Sequence, residues 1–113
     1  MKVVTLCGSM RFARQMQEIA LELEVKQGFC VLTPVGEKIV EPSEEELDKL
    51  AQAHFKKIDM SDAVYIVNIG GYIGESVLRE LRYAQEHNKE IMYHENNMDE
   101  LILLCPQKNM RNK

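Results

Sequence analysis

Short apolar runs rich in β-branched residues alternate along this chain with longer stretches whose apolar positions recur every three or four residues. Residues 2–7 (KVVTLC) form the first short run, and Gly8-Ser9 ends it. From Met10 to about Lys26, Phe12, Met16, Ile19, Ala20 and Leu23 recur at helical spacing, and Gly28 is a stop signal. Residues 29–33 (FCVLT) are a second buried-strand pattern closed by Pro34. After a connection over 35–42, Ser43 and Glu46 have the S-x-x-E form of a capping box. The helix it opens carries Leu47, Leu50, Ala51, His54 and Ile58 on one face. A third strand is expected at 63–68 (AVYIVN), then the glycine-rich loop 69–74 (IGGYIG) and a helix over 75–87. A fourth strand (EIMY, 90–93), a short helix over 98–104 and a polar tail complete the pattern.

Strands that read as apolar on both faces and alternate with helices imply a parallel sheet covered on either side. The expectation is a single domain spanning residues 1–113, an α/β fold of the small doubly wound, flavodoxin-like kind. Right-handed crossovers favour strand order 2-1-3-4. In such sheets ligands sit beyond the carboxyl ends of the strands, where the order reverses. Under that order the reversal lies between the first and third strands, the two followed by glycine-containing loops.

Composition narrows the classes of function. Fourteen basic against 18 acidic residues leave a net charge of −4, which argues against a general nucleic-acid-binding face. No apolar run approaches the length of a membrane helix, so no membrane partner is expected. Three widely spaced cysteines without a C-x-x-C pair, and an N-terminus that enters a strand at once, suggest a cytoplasmic protein without disulfides. His54, His87 and His94 share no ligand spacing, so no metal is expected. An electron carrier with bound flavin mononucleotide is suggested only by the fold and is weakened by the absence of tryptophan and of a Ser/Thr-rich phosphate loop, so no cofactor is expected.

Two loops and one helix carry the candidate chemistry. In Cys7-Gly8-Ser9-Met10-Arg11, helix-terminal N–H groups, a hydroxyl and an arginine can hold one phosphate or carboxylate. The competing reading is a tight turn in which Ser9 caps the helix and Arg11 is solvated. In Gly70-Gly71-Tyr72-Ile73-Gly74, the glycines permit a sharp turn or a close ligand approach. Tyr72 there either stacks on a planar ring or packs on a neighbour. On the following helix, at roughly 100° per residue, Leu81 and Ala84 fall within about 40° of Val77, and Glu80 lies at about −60°. Glu80 thus sits at the edge of the apolar face. A carboxylate there is costly unless hydrogen-bonded or used, and a paired glutamate at a helix boundary competes with a catalytic one. His54 points inward on its own helix, either as a satisfied core residue or as an acid–base group.

The order C-G-S-M-R, then S-D-A-V-Y-I-V, a glycine-rich loop and E-L-R-Y-A resembles the nucleoside 2-deoxyribosyltransferase-like superfamily, near the 2′-deoxynucleoside 5′-monophosphate N-hydrolases. The resemblance spans most of residues 2–94 and is strongest in the opening motif and the E-L-x-Y-A helix. It implies a flavodoxin-like fold and cleavage of the N-glycosidic bond between a nucleobase and deoxyribose, with Glu80 as nucleophile. It further implies that Gly8, Ser9 and Arg11 hold a 5′-phosphate with help from Ser76; the glycine-rich loop, with Gly71, Tyr72 and Gly74, would then hold the sugar. The partner would be a small nucleoside or nucleotide, and the chain a homodimer or larger, with the apolar run 101–104 as a candidate interface. Three positions depart from the family pattern. His54 stands where an acid is usual, Gly74 replaces a polar residue, and Thr5 or Leu6 replaces an aromatic one. His54 would then assist departure of the base. A module that binds a nucleotide in the same pocket without chemistry is the alternative.

Overall fold

The computed structural model describes residues 1–35 and 41–95. Four strands, β1 (Val3–Cys7), β2 (Cys30–Leu32), β3 (Ala63–Ile66) and β4 (Glu90–Tyr93), alternate with three helices, α1 (Ala13–Gln27), α2 (Glu44–Asp59) and α3 (Glu75–Glu86). The strands form one parallel sheet in the order β2-β1-β3-β4, the flavodoxin-like arrangement that the alternating pattern implied. The connection is set by direction: the chain steps one way from β1 to β2 and the other way from β2 through β3 to β4. Right-handed crossovers then place α1 on one face and α2 and α3 on the other.

Strand parity divides the core accordingly. Cys7, Val64 and Ile66 face α2 and α3, where they pack with Ile58, Val77, Leu81 and Ala84. Leu6 and Val67 point the opposite way, onto Met16 and Ile19 of α1. Full burial of each large aliphatic side chain contributes about 1.5–3 kcal/mol, so these two clusters are the main source of stability. Asp62 fixes the start of the sheet: its carboxylate accepts from Val3 N–H at 2.8 Å, and its own N–H donates to the Val3 carbonyl at 2.8 Å. It is a structural turn residue, as its position between helix and strand suggests.

Three local differences from the sequence pattern have physical reasons. The first helix does not begin directly at Met10. Met10–Phe12 is a 3-10 turn, with the Ser9 hydroxyl accepting from Arg11 N–H, and the α-helix starts only at Ala13. The third strand ends at Ile66 rather than at residue 68, because Asn68 turns its amide to the backbone of Glu95. The α2 stripe is not core throughout. His54 and Ile58 are buried, but Leu47 is 51% exposed and Ala51 is exposed as well. The expected helix at 98–104 and the apolar run 101–104 lie outside the described residues, as does most of the 35–42 connection. No described helix is long and apolar enough to cross a membrane.

Candidate functional site

The carboxyl ends of β1 and β3 meet where the strand order reverses, and a cleft of about 400 Å³ opens there. Its first wall is the turn after β1. Gly8 is required by close approach, since a Cβ at that position would lie 2.8 Å from the Val67 Cβ and 3.0 Å from the Met16 sulfur. The chain therefore passes tightly over the sheet edge and delivers Ser9 to the cleft.

The second wall is the turn after β3. Gly70 and Gly71 take φ values of 66° and 78°, a left-handed conformation that glycine adopts without steric cost. Gly70 N–H donates to the Glu95 carboxylate at 3.0 Å, and Glu95 N–H donates to the Asn68 side-chain oxygen at 2.8 Å. The end of β4 thereby braces the glycine turn. Tyr72 packs on neighbours: the Arg11 guanidinium lies 4.1 Å from its ring centroid, and Phe12 meets it edge-on at 6.1 Å. These contacts join the two loops across the crevice.

Of the residues singled out from the sequence, Gly8, Ser9, His54, Tyr72, Gly74, Ser76 and Glu80 line the cleft together. Arg11 and Gly71 do not. Arg11 is engaged on Tyr72 at the rim, and Gly71 shapes the turn behind it. Ser9 caps the 3-10 turn while also facing the cleft, so capping and lining coexist in one residue. The part of the α2 stripe that is not fully buried, Leu47, Leu50 and Ala51, supplies an apolar wall, which explains why its apolar pattern does not correspond to burial. Val35 lines the cleft opposite, at the edge of the described chain.

The polar centre of the cleft is Glu80. One carboxylate oxygen, Oε1, lies 3.3 Å from His54 Nε2, and the two side chains are only 18% and 8% exposed. Helical geometry placed Glu80 at the apolar edge of α3, and the fold supplies the partner that makes this burial tolerable. Cys7 Sγ lies 3.6 Å from the same Nε2. Burial pushes the Cys7 thiol well above its usual range, and the charge and hydrogen bond of Glu80 push it further. The thiol is therefore protonated at neutral pH and is not an activated nucleophile. His54 Nδ1 is buried and has no hydrogen-bond partner among the described residues. Among the described residues both polar contacts of the imidazole use Nε2, so these three groups do not form a relay in which one ring nitrogen serves a nucleophile and the other an orienting acid.

Cys7, His54 and Glu80 come from β1, α2 and α3, and their ligand atoms all lie within 4.8 Å of one another. Histidine spacing alone gave no hint of this grouping, because the three residues are far apart in sequence. The only local signal was parity: Cys7 ends β1 on the face that α2 and α3 cover. Lys57, on the cleft side of α2, was also not anticipated, and its ammonium donates to the Thr33 carbonyl at 2.8 Å.

The fold and the crevice define a flavodoxin-like α/β protein with a partly buried carboxylate–imidazole pair at the topological switch point. No family model, curated protein or solved structure matches the chain.

Proposed function

We propose that this chain is an N-glycosidase or deoxyribosyltransferase acting on a small nucleoside or nucleoside 5′-monophosphate. The observation that carries the reading is the Glu80 carboxylate, 18% exposed and held 3.3 Å from His54 in a cleft between two glycine turns. A cleft of about 400 Å³ is in the range for small ligands, which is roughly 300–1,000 Å³. The order of the C-G-S-M-R and E-L-R-Y-A motifs supports the same reading through its resemblance to the deoxyribosyltransferase-like superfamily.

In this reading Glu80 attacks the anomeric carbon as the C–N bond breaks, and the base leaves with the bonding pair. The glycosyl–Glu80 ester is then opened by water, giving hydrolysis, or by a second base, giving transfer. His54 Nε2 orients the attacking carboxylate. The apolar wall of Leu47, Leu50 and Ala51 suits a planar base, and Ser9 with the N-terminal amides of α3 suits a phosphate. Arg11 contributes its charge from its position on Tyr72.

One observation favours a second reading, a module that binds a nucleotide without reacting it. His54, the candidate acid for the leaving base, turns Nε2 toward Glu80, and its Nδ1 is buried. The test is base release from nucleosides, deoxynucleosides and their 5′-monophosphates, followed by chromatography, with Glu80→Ala in parallel. Release by the wild type and none by the variant supports the enzyme. A ligand that raises the melting temperature without any release supports the module.

A further inference from the structure

Behind the cleft wall that His54 and Glu80 form, the fully buried Cys7 completes a cluster whose separations fit a shared cation as well as they fit hydrogen bonds. Three side chains with metal-ligating atoms, a thiol, an imidazole and a carboxylate, reach one point from three separate elements. The pairwise distances are informative. For tetrahedral zinc, with Zn–S about 2.3 Å, Zn–N about 2.0–2.1 Å and Zn–O about 2.0–2.2 Å, the S···N edge is about 3.5–3.6 Å and the N···O edge about 3.3–3.5 Å. The corresponding separations are 3.6 Å from Cys7 Sγ to His54 Nε2 and 3.3 Å from His54 Nε2 to Glu80 Oε1.

We infer that Cys7, His54 and Glu80 form a binding site for a borderline-soft divalent cation of the zinc class, with its fourth position open to the cleft. The mixed sulfur, nitrogen and oxygen donors discriminate against magnesium and calcium, which take oxygen ligands. His54 Nε2, the nitrogen that faces the other two donors, would carry the ion. Binding replaces the thiol proton: the S–H bond breaks, the sulfur keeps the electron pair and donates it to the metal, and the proton passes to solvent. Glu80 cannot ligate an ion and attack an anomeric carbon at once, so the bound cation blocks glycosyl transfer. That consequence rests on the role proposed for Glu80, whereas the site itself does not.

The experiment uses the full chain, freed of metal with a chelator and titrated with cobalt(II) in the absence of any nucleotide. One equivalent is expected to produce a near-ultraviolet thiolate-to-cobalt charge-transfer band with the intense visible bands of four-coordinate cobalt, and zinc is expected to bleach both. Cys7→Ser should lose the charge-transfer band, with folding checked by circular dichroism. If that variant does not fold, Glu80→Gln, which keeps the thiol, is expected to weaken the visible bands and shift them. The inference is overturned if the wild type gives no charge-transfer band, if the band is unchanged in Cys7→Ser and so arises at another cysteine, or if the Glu80→Gln spectrum equals that of the wild type. Because the spectrum is read without substrate, its failure is separate from a failure of base release.

Discussion

Gly8 shows how a single missing side chain positions a site. A Cβ there would press on the Val67 Cβ at 2.8 Å, a branched carbon next to the backbone of the strand end and unable to swing aside. Gly8→Ala should therefore destabilise the protein by about 1–3 kcal/mol, the usual range for overpacking, measured as a lowered midpoint in urea. Glu80 and His54 depend on each other in a different way. A carboxylate this buried is tolerable because an imidazole nitrogen lies 3.3 Å away, and the other ring nitrogen is buried with no partner among the described residues. Cys7 adds a thiol that the environment keeps protonated, so alkylation of the folded chain at neutral pH should leave Cys7 unmodified. Peptide mass mapping after a brief exposure to iodoacetamide checks this, and early modification of Cys7 would contradict it.

Among the elements, α2 does most to shape the cleft, and its start is defined by a complete capping box. The Ser43 hydroxyl accepts from Glu46 N–H at 3.1 Å, and the Glu46 carboxylate accepts from Ser43 N–H at 2.8 Å. Ser43→Ala should cost about 1 kcal/mol. Because α2 also carries Leu50, Ala51 and His54, the same change should weaken ligand binding. Thermal unfolding and ligand titration of one variant read the two effects. At its other end α2 is tied to α3, where the Tyr83 hydroxyl donates to the Asp59 carboxylate at 2.5 Å and Lys89 donates to the Asp59 carbonyl at 3.0 Å. The tyrosine of the E-L-R-Y-A motif is thus a brace that holds the Glu80 helix against the His54 helix.

The strands and helices were legible because each is a local pattern: a β-branched run, a 3.6-residue period, a cap or a glycine stop. Both site loops were legible for the same reason, and the strand order alone puts them at one crevice. The α2 stripe was legible as a stripe but not as a cleft wall, since periodicity reports an apolar face and not what covers it. Cys7 and its approach to His54 were not legible. That contact depends on tertiary placement of residues separated by 47 positions, which no spacing rule encodes. The stacking of the exposed Arg11 on Tyr72 was not legible either, because it is a contact between two loops that only the folded sheet brings together.

For the molecule as a whole, the sheet order creates the crevice and the two core clusters hold it open at one end. The same burial makes stability depend on pH at the alkaline end. The folded state holds the Cys7 proton more tightly than the unfolded chain does. Its contribution is therefore complete below the ordinary thiol range and is lost as pH rises toward the raised value. Tyr65, raised by burial and the charge of Glu22, and Tyr83, raised mainly by its hydrogen bond to Asp59, act in the same direction at higher pH. Urea midpoints measured across alkaline pH should fall more steeply for the wild type than for Cys7→Ser, which keeps both tyrosines. Equal slopes would show that the thiol is not the group responsible.

In the reaction proposed for this cleft, Glu80 would make and break a glycosidic bond. That role is tested most directly by measuring base release and ligand-induced thermal stabilisation side by side on the wild type and Glu80→Gln. The same nucleoside or nucleotide should stabilise both proteins, the wild type should release base, and the variant should lose activity on the order of 10³-fold or more. Equal release by the two proteins, or stabilisation of the wild type with no release from any substrate, would contradict it.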